Sequence, residues 1–261
     1  MSRPRPDPAD AALLAAAIAE AGTLAASLFQ RGVRVWDKSP GNPVTEADYA
    51  IDALLNARLG AARPDYGWLS EETADAPERL SRRRVWVVDA IDGTRDFLRG
   101  RHGWAVSVAL VEDGVPLLGA LAAPLMGECW FAQAGGGATR NDAPVRVAGR
   151  PDPEGARISA DPADALKAGF SPVPKPNALA LRMARVAAGE ADLFLDRRAI
   201  REYDVAAATL IVTEAGGRVT DTSGAPLAFN GLPPRLDGVV AANPALHAAL
   251  IERVRAGQGL S

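Results

Sequence analysis

The sequence predicts an α+β fold, and three observations carry that expectation. The apolar run Arg84-Val-Trp-Val-Val stops abruptly at Asp89-Ala-Ile-Asp92-Gly93-Thr94. So short a β-branched and aromatic run describes a strand buried on both faces, with two carboxylates projecting from its C-terminal end. Residues 104–111, 115–122 and 129–132 then form three successive strands, the first two joined by an Asp113-Gly114 hairpin turn. The second half alternates instead: helix 178–188, strand 191–195, helix 205–215, strands 218–220 and 239–241, and helix 244–255.

Taken in order, Asp7-Pro8 opens a first helix with a cap and a proline at its first position. Leu13, Leu14, Ile18, Leu24 and Leu28 give it an apolar stripe that ends at Gly32. Residues 37–43 form a turn-rich loop. Thr45 and Asp48 have the spacing of a capping box, with Val44 and Tyr49 as its hydrophobic staple, so Asp48 by itself reads as a helix-start residue before a catalytic one. Ile51, Leu54, Leu55 and Leu59 continue that helix to Gly60. Trp68-Leu69-Ser70 leads into Glu71-Glu72, where one carboxylate is a candidate ligand and a solvated acidic pair is the alternative. The stretch 77–84 is polar and basic, a surface connection whose arginines need no functional explanation.

At the central motif, Gly93 lets the backbone turn closely and Thr94 can begin a helix whose free N–H groups favour a phosphate. Two hard oxygen ligands beside a phosphate cradle suggest Mg²⁺; plain turn chemistry is the alternative. An aspartyl-phosphate mechanism of the haloacid-dehalogenase kind requires Asp-x-Asp-Gly-Thr, and Ala90 stands where its nucleophile would be. Gly135-Gly136-Gly137 lacks a following helix and a Lys-Ser/Thr pair, so it is a turn rather than a nucleotide loop. Glu202-Tyr203-Asp204 precedes the helix 205–215, where a simple N-cap would look the same.

Composition narrows the function. The 261 residues are 48% hydrophobic, enough for a core without a partner. A net charge of -3 argues against nucleic-acid polymers and membrane surfaces as partners. Cys129 is the only cysteine and there are two histidines, so an intrachain disulfide is excluded and a metal site would be built from oxygen. The Ala/Leu-rich stretch 11–28 is flanked or interrupted by Asp7, Asp10 and Glu20, which makes it a helix of a mature, cytoplasmic protein rather than a signal core. No apolar run is expected to reach membrane-spanning length. The Pro-, Gly- and charge-rich stretch 149–155 is the candidate boundary between an α+β domain, residues 1–149, and an α/β domain, residues 150–261.

Four ordered motifs together resemble the inositol monophosphatase family, including its bisphosphate nucleotidase relatives, over nearly the whole chain. They are Val44-Thr45-Glu46-Ala47-Asp48, Ser70-Glu71-Glu72, Asp89-Ala90-Ile91-Asp92-Gly93-Thr94, and Tyr203-Asp204-Val205-Ala206-Ala207 running on to Glu214-Ala215-Gly216-Gly217. The resemblance implies a five-layered αβαβα sandwich, a Mg²⁺-dependent phosphomonoesterase using two or three ions, a homodimer and sensitivity to lithium. It makes Glu71, Asp89, Asp92, Asp204 and the Ile91 carbonyl the metal ligands, most of them in the first domain. Asp48, Thr94 and Glu71 become the catalytic residues, the first two orienting the attacking water, and Gly93, Thr94 and Asp204 the substrate contacts. Electrostatics agrees: two unit charges about 4 Å apart repel by roughly 4 kcal/mol at an effective dielectric of 20, a repulsion that divalent cations remove.

Three departures stand out. The family usually has Pro at Ala90, Trp at Tyr203, and often Gly-Ser at Asn177-Ala178. Residues 92–97, 104–110 and 179–189 look most like the bacterial bisphosphate nucleotidases, which implies 3'-phosphoadenosine 5'-phosphate as substrate. Arg95, Arg99, Arg101 or Lys175 would then hold the second phosphate. Inositol 1-phosphate or another polyol phosphate is the alternative substrate, and a non-catalytic phosphometabolite-binding regulator the alternative function.

Overall fold

Alternate side chains of one strand, β4 (Arg84–Asp92), face two different cores and thereby set the architecture. In the computed structural model, which describes residues 5–39 and 41–256, Trp86, Val88 and Ala90 pack toward one helical layer, and Val85 and Val87 toward another. This is the burial on both faces that the unbroken apolar run implies. β4 lies in a seven-stranded sheet of order β3-β4-β5-β6-β7-β8-β9. Its partners are β3 (Gly67–Ser70), β5 (Ala105–Glu112), β6 (Val115–Ala123), β7 (Glu128–Gln133), β8 (Gly137–Arg140) and β9 (Ala143–Pro144). Only the β3–β4 pair is parallel.

The outer helical layer comprises α1 (Pro8–Arg31) and α2 (Glu46–Leu55). Asp7 caps α1 by accepting from the Ala9 N–H, as the Asp-Pro start predicts. By length and apolar composition α1 could cross a membrane, contrary to the expectation for the sequence. Its buried Leu14, Ile18, Ala21, Ala25 and Leu28 instead pack in one cluster with β5 and β6, so its apolar stripe is a core face. Between α1 and α2 the expected loop is a hairpin, β1 (Val35–Ser39) and β2 (Asn42–Thr45). The anticipated staple is replaced as well: Val44 is buried, whereas Tyr49 is 41% exposed and stacks on Trp36 of the hairpin.

The second sheet, of order β11-β10-β12-β14-β13, lies beyond a central helical layer. Its strands are β10 (Arg157–Ile158), β11 (Ser171–Pro172), β12 (Leu193–Arg201), β13 (Arg218–Thr220) and β14 (Arg235–Ala242). The central layer is α5 (Leu179–Ala187) and α6 (Ala206–Glu214), preceded in the chain by α3 (Thr94–Leu98) at the end of β4 and by α4 (Pro162–Lys167). Phe194, Val239 and Ala241 face α5 and α6. Leu193, Val240 and Ala242 face a last layer of α4 and α7 (Pro244–Arg255). The order helix, sheet, helix, sheet, helix is the expected αβαβα sandwich. The first sheet ends at Pro144 and the second begins at Arg157, while one cluster around α5 and α6 joins both.

The 77–84 stretch is not a plain surface connection. Arg79, 2% exposed in a 3-10 turn, pairs with Asp75 at 2.6 Å and donates to the Gly231 carbonyl at 2.8 Å and to Asn230. Glu202, two residues before Asp204, accepts from the Asn230 and Gly231 N–H groups at 2.6 and 2.8 Å. Arg79 and Glu202 thus clamp one loop from opposite ends of the sequence and brace the turn carrying Asp204. Removing the buried guanidinium leaves the Asn230 side-chain oxygen and the Gly231 carbonyl without their donor, so Arg79→Ala should cost about 2 kcal/mol in urea unfolding. A change below about 0.5 kcal/mol would contradict a structural role for the clamp.

Candidate metal centre and substrate cleft

In a regular strand, residues three apart point to opposite faces, so Asp89 and Asp92 could not serve one site. The pairing of β4 with β5 slips between them: Asp89 lies opposite Ser107, but Asp92 lies opposite Ala105. One extra residue on β4 makes a bulge that turns both carboxylates to the strand's end. The Ile91 N–H donates to Asp89 Oδ1 at 3.1 Å, and the Thr94 hydroxyl donates to the Ile91 carbonyl at 3.1 Å. Gly93 closes the turn at φ 93°. A Cβ there would lie 2.9 Å from both the Ala178 nitrogen and the Gly103 oxygen, so no larger residue fits.

Glu71, Asp89 and Asp204 converge, each offering an oxygen within 4.8 Å of the others. Asp204 occupies a 3-10 turn before α6, and Val205, not Asp204, takes the cap position without a side-chain bond. The N-cap alternative for Asp204 therefore fails; its carboxylate, which accepts the Arg201 N–H, faces the cluster instead. Glu71 is held by its neighbours: Ser70 and Thr73 donate to the buried Asp52 of α2, and the Glu72 N–H donates to Ser70 Oγ at 3.1 Å. Asp52 was overlooked in the sequence, although an acid four residues after Asp48, beside Ile51 and Leu55, was its signal.

Asp92 lies apart from this triad. Its two oxygens accept the Leu179 and Ala180 N–H groups at 3.1 and 2.7 Å, so it caps α5 from another part of the chain. Each carboxylate oxygen retains a lone pair, so this cap is compatible with a further ligand.

Burial, reinforced by neighbouring carboxylates, pushes Asp89 and Asp204 well above the usual carboxylate range. Burial raises Asp92 to about 7, opposed by the Ala180 and Leu179 N–H groups. This all-oxygen, mutually repelling set fits a hard divalent cation. Bound there, such an ion would neutralise the carboxylates, acidify a water and offset charge on phosphoryl oxygens. Glu71, Asp89 and Asp204 would hold it, with Asp92 and the Ile91 carbonyl beside them.

Asp48 forms the full capping box: Oδ2 accepts from the Thr45 N–H at 2.8 Å and from its hydroxyl at 2.6 Å. Oδ1 remains as an acceptor, and burial raises the group to about 6. Lys38, also missed in the sequence, reaches from β1 to Glu72 at 2.6 Å and Glu71 at 3.5 Å. Glu72 is thus a buried partner of Lys38 rather than a solvated acid, and burial raises it to about 7. Tyr203 is likewise raised, by burial and by Glu71, Asp204 and Asp89, which keeps its phenol neutral beside the cluster.

A cavity of about 380 Å³ opens over the cluster, lined among others by Gly93, Thr94, Arg95 and Lys175. Arg99 and Arg101, the other candidate cations, do not line it and are exposed. Arg182 and Arg198 do line it. The Asn177 N–H donates to Asp96 Oδ2 at 3.1 Å and the Ala178 N–H to the Gly103 carbonyl at 2.9 Å, which fixes this departure from the family pattern against the α3 end of the site.

Residues 6–258 match the model of the inositol monophosphatase family. An inositol-1-monophosphatase of Mesorhizobium japonicum is 35% identical over 84% of this chain and 85% of its own length. A 3'(2'),5'-bisphosphate nucleotidase CysQ of Aggregatibacter actinomycetemcomitans is 32% identical over 81% and 84%. The crystal structure of the extragenic suppressor protein suhB from Bartonella henselae superposes with a TM-score of 0.80 at 28% identity, covering 94% of this chain and 98% of that one. Sequence and layered fold thus agree: the chain belongs to the inositol monophosphatase family and is a phosphatase.

Proposed function

We propose that this phosphatase is a cytoplasmic, homodimeric, Mg²⁺-dependent 3'(2'),5'-bisphosphate nucleotidase that converts 3'-phosphoadenosine 5'-phosphate to AMP and phosphate. The observation that carries the chemistry is the convergence of Glu71, Asp89 and Asp204 beside a cavity that also presents cations. The similarity to a bisphosphate nucleotidase and the presence of Arg95 and Lys175 in that cavity support the substrate. Inositol 1-phosphate is the second reading, supported by the similarity to an inositol-1-monophosphatase. Measured side by side in saturating Mg²⁺, kcat/KM should be higher for 3'-phosphoadenosine 5'-phosphate than for inositol 1-phosphate. Equal or reversed values would move the assignment to the inositol reading.

In this proposal the chain positions one water. Thr94 donates its own hydroxyl hydrogen to the Ile91 carbonyl, so its oxygen accepts one water hydrogen. Asp48 Oδ1 accepts the other, leaving an oxygen lone pair for phosphorus. The P–O bond to the leaving group breaks as the water oxygen adds; the water's proton passes to Asp48 and is returned through solvent to the departing alkoxide, so that the products are the alcohol and inorganic phosphate. The Gly93 and Thr94 N–H groups lie where phosphoryl charge develops.

Asp48→Asn keeps an acceptor for the Thr45 N–H but removes the anionic partner of the water. It should lower kcat by about 100-fold while changing Mg²⁺ affinity little. Thr94→Val should act similarly and be non-additive with it. A metal titration that weakens before kcat falls would reassign Asp48 to the ligand set.

A further inference from the structure

The cavity over the carboxylates continues into a second one of about 400 Å³, which runs along Ile158, Phe170 and Leu195. Among the described residues three line both, and all three are cations: Lys175, Arg182 and Arg198.

The two arginines are positioned by local structure, and Lys175 is exposed beside them. Arg182 lies in the first turn of α5, from which its side chain leans back toward the helix N-terminus. There Nε and Nη2 donate to the Pro176 and Asn177 carbonyls at 2.7 and 3.0 Å. Among the described residues it makes no hydrogen bond to a carboxylate, so its charge is oriented but not neutralised by a contact partner. Arg198 is aimed by a bulge in β12, where Asp196 lies opposite Val239 but Ala199 opposite Asp237. Gly238 permits that bulge, since a Cβ there would fall 2.7 Å from the Asp196 oxygen. Asp196 grips one edge of the Arg198 guanidinium at 3.0 and 2.6 Å and leaves Nη1 outward. Asp196 is thus bonded to Arg198, whereas Arg182 faces the neck between the cavities with Asp92 and Asp196 near it but bonded to neither.

We infer that Lys175, Arg182 and Arg198 form a second-anion site selecting a phosphomonoester whose leaving group bears a second phosphate. This rests on the phosphatase reading of the carboxylate centre and adds the residues that choose the substrate. Three cations converge at one neck, and oriented guanidinium groups bind phosphate by short, charge-assisted bonds. The remainder of the leaving group extends into the second cavity.

The test compares adenosine 3',5'-bisphosphate with adenosine 3'-monophosphate, which differ only by the second phosphate. Wild type should prefer the bisphosphate in kcat/KM by about tenfold or more, and the ratio should fall toward one in Arg198→Gln and Lys175→Gln. Arg182→Gln should do the same but also loosens the 176–177 turn, so the two more exposed positions decide. No preference in wild type, or a preference surviving both variants, overturns the inference. Calorimetric titration of adenosine 5'-monophosphate, which carries only the second phosphate, reads the same cations without turnover. Affinity weakened about tenfold in Arg198→Gln supports the site, and equal affinity overturns it. Failure of both esters to release phosphate, with that weakening present, overturns the bisphosphate-nucleotidase reading alone.

Discussion

Asp204→Asn should reduce Mg²⁺-dependent phosphate release by roughly a thousandfold or more, and yet raise the melting temperature of the metal-free protein. The two effects have one cause. Glu71, Asp89 and Asp204 crowd their oxygens within 4.8 Å, and burial together with mutual repulsion pushes Asp89 and Asp204 well above the carboxylate range. Replacing the acid by an isosteric amide removes the cost of protonating or crowding it on folding, which stabilises the empty fold. The same change removes a hard anionic ligand and with it several kcal/mol of transition-state stabilisation. Added Mg²⁺ should therefore raise the melting temperature of wild type but hardly that of the variant, since an ion stabilises only the state it binds. A metal-free variant less stable than wild type would mean that the triad is held by something other than charge. Asp92→Asn should differ: it loses activity, but its amide faces the α5 N–H donors, so the metal-free protein should lose about 1–3 kcal/mol instead of gaining.

In chelator, stability should fall as pH rises from 5 to 8. Asp48 is raised to about 6, Glu72 and Asp92 to about 7, and Asp89 and Asp204 well above the ordinary value. A carboxyl whose folded pKa exceeds its unfolded one binds more protons in the native state between the two values. Its penalty is absent below the unfolded pKa, near 4, and complete above the folded one. Each group held protonated in the fold contributes about 1.4 kcal/mol of lost stability per pH unit across that window. His247 acts oppositely, because burial lowers it to about 4 and it destabilises the fold on acidification below about 6.5. It is one group against several, and above pH 6.5 it no longer contributes. Mg²⁺ should flatten the slope by holding the cluster ionised. Thermal unfolding at several pH values, with and without metal, checks this; a chelated protein that gains stability from pH 5 to 8 would contradict it.

Much of the fold was legible because local signals and burial agree. Asp7-Pro8, the Thr45–Asp48 box and the Asp113-Gly114 turn each specify their own backbone, and the run into β4 could be satisfied only between two apolar layers. What escaped depends on partners distant in sequence. The β1–β2 hairpin hides in a turn-rich stretch, and β9, β10 and β11, two residues each, are too short to show a period. Arg79 is buried only because Asn230 and Gly231 come to meet it.

The site divides the same way. Glu71, Asp89 and Asp204 were identifiable because each ends an element, but their convergence depends on a β4 bulge that period-two reasoning does not reveal. Asp92 carries a second duty, capping α5, that no local pattern announces. Lys175 was recognisable as a candidate cation, whereas Arg182 and Arg198 become neighbours only where α5 and the β12 bulge meet at the cleft.

The most direct test is phosphate release from 3'-phosphoadenosine 5'-phosphate by the wild-type chain, assayed in millimolar Mg²⁺ and again after exhaustive chelation. The metal-centred account predicts turnover with Mg²⁺, its loss in chelator and its return when Mg²⁺ is restored. Full activity in chelator would contradict it.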